Sequence, residues 1–286
     1  MDFILDIMQY SFLQKALFTA VMVGTICGLL GCFIVLRGLA LMGDAISHAV
    51  LPGVALSFMM NISFFYGAVA AGVLTALGVG YVNQNSRIKS DSSIGIIFTV
   101  FLAVGVLLMR HAQSGVKLDN ILFGSLTSVQ SSDMWVTIVV GSIVVLVILI
   151  FYKEFLVSTF DPTMAAAYGL PTNLIHYTLM VLLTLVTVAS MQTVGVILVV
   201  ALLITPASTA YLLTNRLGIM LLLSSLFGIV ASLFGLYFSF EYDLESGAVI
   251  VITSFIMFAL VFFLAPKQGV LWKKIRARRK QTAATE

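Results

Sequence analysis

Apolar residues run in blocks of about twenty along nearly the whole chain, and polar positions collect at the seams between blocks. Nine blocks can be drawn, near residues 12–36, 40–60, 64–82, 92–110, 134–152, 174–190, 194–213, 217–238 and 246–265. As a helix, a block of that length crosses a hydrocarbon core of about 30 Å. The pattern therefore predicts an all-α polytopic membrane protein. The second block is irregular because it holds Asp44, His48 and Pro52. The sixth and seventh are parted only around Met191 to Thr193, so eight crossings stand as an alternative to nine.

Composition sharpens this picture. Hydrophobic residues make up 60% of the chain and charged ones 9%, against about 25% charged in a soluble domain. The two longest connections, 111–133 and 153–173, are each roughly twenty residues, too short for a soluble catalytic domain, so the activity is expected within the membrane. The chain contains no GxxxxGK[ST] phosphate loop and no HExxH zinc-protease pattern. Cys27 and Cys32 do not form a CxxC pair and read as small packing residues, like the thirteen scattered methionines. Gly24 and Gly28 form a small-xxx-small pair that Gly31 extends, which predicts close contact with another helix.

Charge orients the chain. Seven of fifteen Lys and Arg residues lie in the tail from Lys267 to Lys280, and an excess of basic residues marks the cytoplasmic side. With nine crossings the N-terminus is then outside. The inner seams hold Arg37, Arg87, Lys89, Lys153 and Arg216 beside the tail, and the outer ones Lys15, Arg110 and Lys117. The outer seam Glu241, Asp243 and Glu245 carries no base and reads as a solvated acidic turn. The expected organisation is an extracytoplasmic N-terminus over 1–11, one membrane domain over 12–265 and a basic cytoplasmic tail over 266–286. A basic tail beside a last membrane helix touches anionic lipid or fixes orientation, so nucleic acid is not an expected partner.

The second block carries the chemistry. On a helix, residues four apart share a face, so Asp44 and His48 can point toward one ligand or toward each other. If Arg37 marks the inner edge, a rise of about 1.5 Å per residue puts Asp44 roughly 10 Å and His48 roughly 16 Å deep. Ionisable groups at such depth are costly and face an interior or a water path. Pro52 has no N–H for the His48 carbonyl, and broken helices at midplanes are where transporters expose carbonyls to ions. Two side chains are too few for a structural zinc site. Three readings remain open from spacing alone: contact with a passing divalent metal, a structural Asp–His pair, and a proton relay.

Between the fifth and sixth blocks, FDPTMAAAYGLP is legible as a short helix. Asp161 is a good N-cap, Pro162 suits the first helical position, and residues 164–168, including Ala165 and Ala166, propagate. Gly169 can take the left-handed position past the end, and Pro171 stops continuation. In isolation this is an interfacial linker or a lever. His111 and His176 lie at block ends, where an imidazole is ordinary. Pro206 is expected to bend the seventh block, with Thr205, Ser208 or Thr209 near the freed backbone.

The run LGCFIVLRGLALMGDAISHAVLPGVALSF closely resembles the permease subunits of bacterial ABC importers for manganese, zinc and iron, the metal-chelate type or ABC-3 family, and most of all the manganese permeases of Gram-positive bacteria. FDPTMAAAYGLP and QTVGVILVVALLITPASTAYLL fit as well, so the likeness spans residues 10 to about 265. The resemblance implies a homodimer, two copies of a separate cytoplasmic ABC ATPase that hydrolyses the ATP, and an extracytoplasmic metal-binding lipoprotein. It implies a bacterial cell-membrane location and no permanently bound cofactor. The metal is cargo, Mn²⁺ first with Zn²⁺ or Fe²⁺ behind it. Asp44 and His48 are then the metal contacts, and Asp161, Pro162, Ala165, Ala166 and Gly169 belong to the coupling helix at about 161–170 that seats in the ATPase. The rival classes are an ion-gradient-driven secondary transporter and, further off, an intramembrane enzyme.

Overall fold

A computed structural model describes residues 10–111 and 129–265. Residues 1–9 of the expected N-terminal segment, the basic tail and residues 112–128 of the 111–133 connection, with the apolar stretch Ile121 to Phe123, lie outside those residues. Among the described residues every regular element is a helix. They are α1 (Ser11–Leu36), α2 (Ala40–Ala49), α3 (Leu51–Met60), α4 (Phe64–Asn85), α5 (Ser90–His111) and α6 (Ser131–Ile150). The second half holds α7 (Tyr152–Phe160), α8 (Pro162–Ala167), α9 (Thr172–Val194), α10 (Val196–Leu213), α11 (Leu217–Glu241) and α12 (Ser246–Leu264). With α2 and α3 counted as one crossing, nine helices among the described residues are long and apolar enough to span a membrane.

Nine therefore replaces the alternative of eight. Gly195 alone separates α9 from α10, at φ 83° and ψ 161°. Side-chain-bearing residues avoid that backbone region and glycine does not.

α1 is the hub. Lipid tails offer no hydrophobic drive for helices to associate, so contact rests on close backbone approach and hydrogen bonds. Both are present. A Cβ on Gly24 would stand 2.7 Å from the Gly228 carbonyl oxygen, and one on Gly28 2.8 Å from that of Ser224. The Ser224 hydroxyl donates to the Gly28 carbonyl at 2.8 Å and the Ser232 hydroxyl to the Ala20 carbonyl at 3.0 Å. Residues 20, 24 and 28 thus meet 232, 228 and 224 in turn, so α1 and α11 run antiparallel. Gly31 faces the Leu203 carbonyl and Ala207 on α10. The buried thiol of Cys32 leans on the Gly28 carbonyl, a packing role as expected.

Pro206 sits inside α10. The Thr209 hydroxyl donates to the Thr205 carbonyl at 2.7 Å; the carbonyl Pro206 deprives of its N–H partner is that of Leu202. The nearby hydroxyl therefore serves the next turn of the ladder instead of the freed group. α4 and α9 also run antiparallel, since Gly72 meets Thr184 and Gly80 meets Tyr177.

Replacing Gly24 with Ala forces the α1–α11 backbones apart. We expect a loss of about 1–3 kcal/mol, the usual cost of overpacking, read as a lower unfolding midpoint of the purified protein in detergent. Thr25→Ala, whose hydroxyl serves only the Val21 carbonyl of its own helix, should change it little.

Candidate functional site

The second crossing is assembled from two half-helices. α1 ends at Arg37 with Gly38 at φ 67°; the Gly38 N–H donates to the Val35 carbonyl and that of Leu39 to the Ile34 carbonyl. This six-to-one and five-to-two pair is a glycine stop, and it reverses the chain into α2 three residues later. Within α2, Met42, Gly43, Ala45, Ile46, Ser47 and Ala49 are all buried. Asp44 and His48 are not: their side chains are 51% and 30% exposed. His48 Nε2 stands 3.6 Å from Asp44 Oδ1, too long for a good hydrogen bond. The two groups share one open face, and the His48 ring lies 6.0 Å from that of Phe98 on α5.

Val50 alone separates α2 from α3, in a helical conformation at φ −72° and ψ −21°. Its N–H reaches the Ile46 carbonyl at 3.1 Å, and its carbonyl accepts from Val54 at 3.1 Å. The interruption is thus narrower than a broken helix suggests: the Pro52 ring costs the His48 carbonyl its normal partner and leaves it a share of the Val50 N–H. Two glycines make room for the irregularity. Gly105 of α5 leaves space for the Pro52 ring, where an added Cβ would stand 2.9 Å from its Cδ, and Gly53 touches Gly67 of α4 backbone to backbone.

Among the described residues no group of three or more His, Cys, Asp or Glu side chains could hold a metal. One chain offers a carboxylate and an imidazole without thiolates, a donor set suited to Mn²⁺, Zn²⁺ or Fe²⁺ rather than Cu⁺. It is too sparse to trap an ion, which suits release.

The short helix lies far along the sequence from this pair, at the end of the bundle where α1 stops. The Asp161 carboxylate caps α8 by accepting the Met164 N–H at 2.9 Å, and Pro162 occupies its first turn. The Thr163 hydroxyl, at 2.6 Å, and then the Met164 N–H hold the exposed Asp161 carboxyl below the ordinary carboxylate range. Gly169 stands at φ 80°; it donates to the Ala166 carbonyl and Leu170 to that of Ala165. Of the small residues, Ala165 is buried and Ala166 exposed. Both ends are capped as expected.

Two features were not foreseen. α7 is a separate helix ahead of α8, pinned to α1 by the buried ring of Phe155 against Phe33, centroids 5.5 Å apart. Arg37, read from sequence as an edge marker, donates from Nε to Thr159 Oγ1 at 3.1 Å and from a terminal nitrogen to Ser158 Oγ at 2.9 Å. Its other terminal nitrogen stands 3.4 Å from His176 Nδ1 on α9. Nothing local in LRGLA signals partners more than a hundred residues away.

Nine apolar spans, an acid–histidine pair on the interrupted second one, and a doubly capped helix between the fifth and sixth define a multi-pass membrane permease. Residues 9–265 match the ABC 3 transport family, and the chain belongs to it. It is 58% identical over 276 residues to the manganese transport system membrane protein MntC of Listeria monocytogenes, covering 96% of this chain and 99% of that one. The manganese import system permease protein ScaB of Streptococcus gordonii is 51% identical over 275 residues, with 96% and 99% covered. Among solved structures, a chain of PsaBC from Streptococcus pneumoniae in complex with Fab superposes with a TM-score of 0.86 at 51% identity, covering 96% of this chain and 99% of that one.

The lowered Asp161 titration has a sign. A carboxyl depressed in the folded state stabilises above its unfolded pKa, and that contribution disappears as pH falls through the folded one. Protection of the Met164 amide in hydrogen exchange should therefore be full at neutral pH and decline below the ordinary carboxylate range. Asp161→Ala should remove it at all pH, while Asp161→Asn, also a good N-cap, keeps it and makes it independent of pH.

Proposed function

We propose that this chain is the membrane subunit of an ABC importer for Mn²⁺, with Zn²⁺ or Fe²⁺ as chemically similar cargo, and that Asp44 and His48 touch the ion as it passes. One observation carries the proposal: in residues 42–49 the two ionisable side chains, and no others, face out of the chain's own bundle. An open carboxylate and imidazole inside a membrane crossing need a water path or a partner of like chemistry. A second copy supplies one, for two chains bring two carboxylates and two imidazoles to a shared face. The manganese names of relatives at 50% identity and above support the choice of metal.

The remaining parts follow from this reading. The chain has its N-terminus outside and its tail in the cytoplasm, which puts α7 and α8 on the inner side. α8 is the coupling helix, its rigidity set by Asp161 at one end and Gly169 at the other, and it seats on a separate ATPase, one for each of two copies. A metal-binding lipoprotein delivers the ion at the outer face. His48 strips water from the ion at depth with Asp44 supplying charge, and the weakened His48 carbonyl is a third donor within reach.

Proteoliposomes holding this chain with its ATPase and a metal-loaded binding protein should take up Mn²⁺ on addition of ATP. Uptake without the ATPase, driven by an ion gradient, would instead make the chain a secondary transporter. Asp44→Ala and His48→Ala should each reduce uptake to background in a protein that still folds and dimerises; normal uptake by either variant removes that residue from the path. Gly169→Leu should strain the left-handed position by roughly 1–2 kcal/mol and leave ATP hydrolysis running without transport.

A further inference from the structure

The guanidinium of Arg37 is half-buried at the end of α1, and among the described residues no carboxylate pairs with it. Its donors are spent instead on Ser158 and Thr159, in the last turn of α7, and one of its nitrogens meets His176, the fifth residue of α9. Those hydroxyls lie three and two residues before Asp161, the cap of α8. On its other side Arg37 lies three residues before α2 and seven before Asp44, across Gly38. One side chain therefore bridges the arm that carries α8, the root of α9 and the turn that leads into the ion-site helix. The bridge has a stiff backing, since Phe33 and Phe155 fasten α7 to α1 one turn deeper.

We propose that Arg37 is a positioning residue for transport: it ties displacement of α7 and α8 to the start of α2, and so to Asp44 and His48, while touching neither the ion nor a partner chain. The inference rests on the importer reading above. Three consequences separate it from a charge that merely orients the chain. A planar guanidinium reaches two adjacent hydroxyls and an imidazole at once, whereas an ammonium keeps the charge and loses the fork. Arg37→Lys should then fail to restore coupling, although it satisfies any demand for a positive residue at the inner edge. Removing the acceptors should reproduce removal of the donor. And because all three side chains act through one contact, their losses should not add.

The experiment compares Arg37→Gln, Arg37→Lys, Ser158→Ala/Thr159→Ala and the triple combination of Arg37→Gln with both alanines. Each is reconstituted with the ATPase and the metal-loaded binding protein, and Mn²⁺ moved per ATP hydrolysed is measured. We expect assembly and ATP hydrolysis to persist and the ratio to fall about tenfold in Arg37→Gln, the scale on which residues along a coupling network act. Arg37→Lys and the double alanine variant should fall in the same direction, and the triple variant no further than Arg37→Gln. A wild-type ratio in Arg37→Gln or Arg37→Lys overturns the proposal. Should Arg37→Gln fail to assemble, the double alanine variant decides, and a wild-type ratio there overturns it equally. A wild-type complex that moves no Mn²⁺ at all would bring down the importer reading itself, and is distinguishable because it needs no variant.

Discussion

Everything in this bundle depends on how near two backbones can come along α1. With lipid as apolar as leucine, burying side chains stabilises no helix pair over its separated state, and what remains is dispersion and hydrogen bonding at short range. Gly24 and Gly28 bring α1 close enough to α11 for serine hydroxyls to reach carbonyls across the interface, bonds that a methyl group on either glycine would open. α10 then rests on Gly31, and α7 on Phe33. Because α1 is held on so many sides, its last residue is a fixed point. The irregular turn at Gly38 and the polar cluster at Arg37 are both built on it.

The Asp44–His48 pair depends on this rigidity in a different way. From Met42 to Ala49 α2 is buried except at Asp44 and His48, so its rotation about its own axis is set by packing, and the two polar groups are pointed by the greasy ones. A carboxylate and an imidazole on a freely rotating helix would turn toward any neighbouring hydroxyl. Here they sit 3.6 Å apart, within ion-pair range, with part of each side chain exposed. The interruption at Val50 costs little regular structure, because Gly105 on α5 gives the proline ring its space and Gly67 on α4 lets Gly53 approach closely.

Much of this was legible from residues alone, for identifiable reasons. The crossings follow from block length, and the α8 boundaries follow from caps whose partners are at most five residues away, so Asp161 and Gly169 announce themselves. Gly24, Gly28 and Gly31 announced a close contact without naming its partner, since a small-residue face says nothing about which helix will use it. The Arg37 cluster was invisible for the same reason, magnified: its partners are Ser158, Thr159 and His176, and no local pattern encodes their meeting. The direction in which Asp44 and His48 face was also hidden. Four-residue spacing puts them on one side of a helix, and tertiary packing decides which way that side looks.

Gly195 has a consequence reaching beyond its own turn. A helix run straight from Thr172 to Leu213 would be roughly 60 Å long at about 1.5 Å per residue, about twice the thickness of the hydrocarbon core. No proline divides α9 from α10; the division is one residue without a side chain, held at φ 83°. That residue decides whether the chain crosses the bilayer an odd or an even number of times. Every charged seam after it lies on the side it does because of that parity. The mirror-image freedom of a single backbone unit is thus converted into the sidedness of the three helices that follow it.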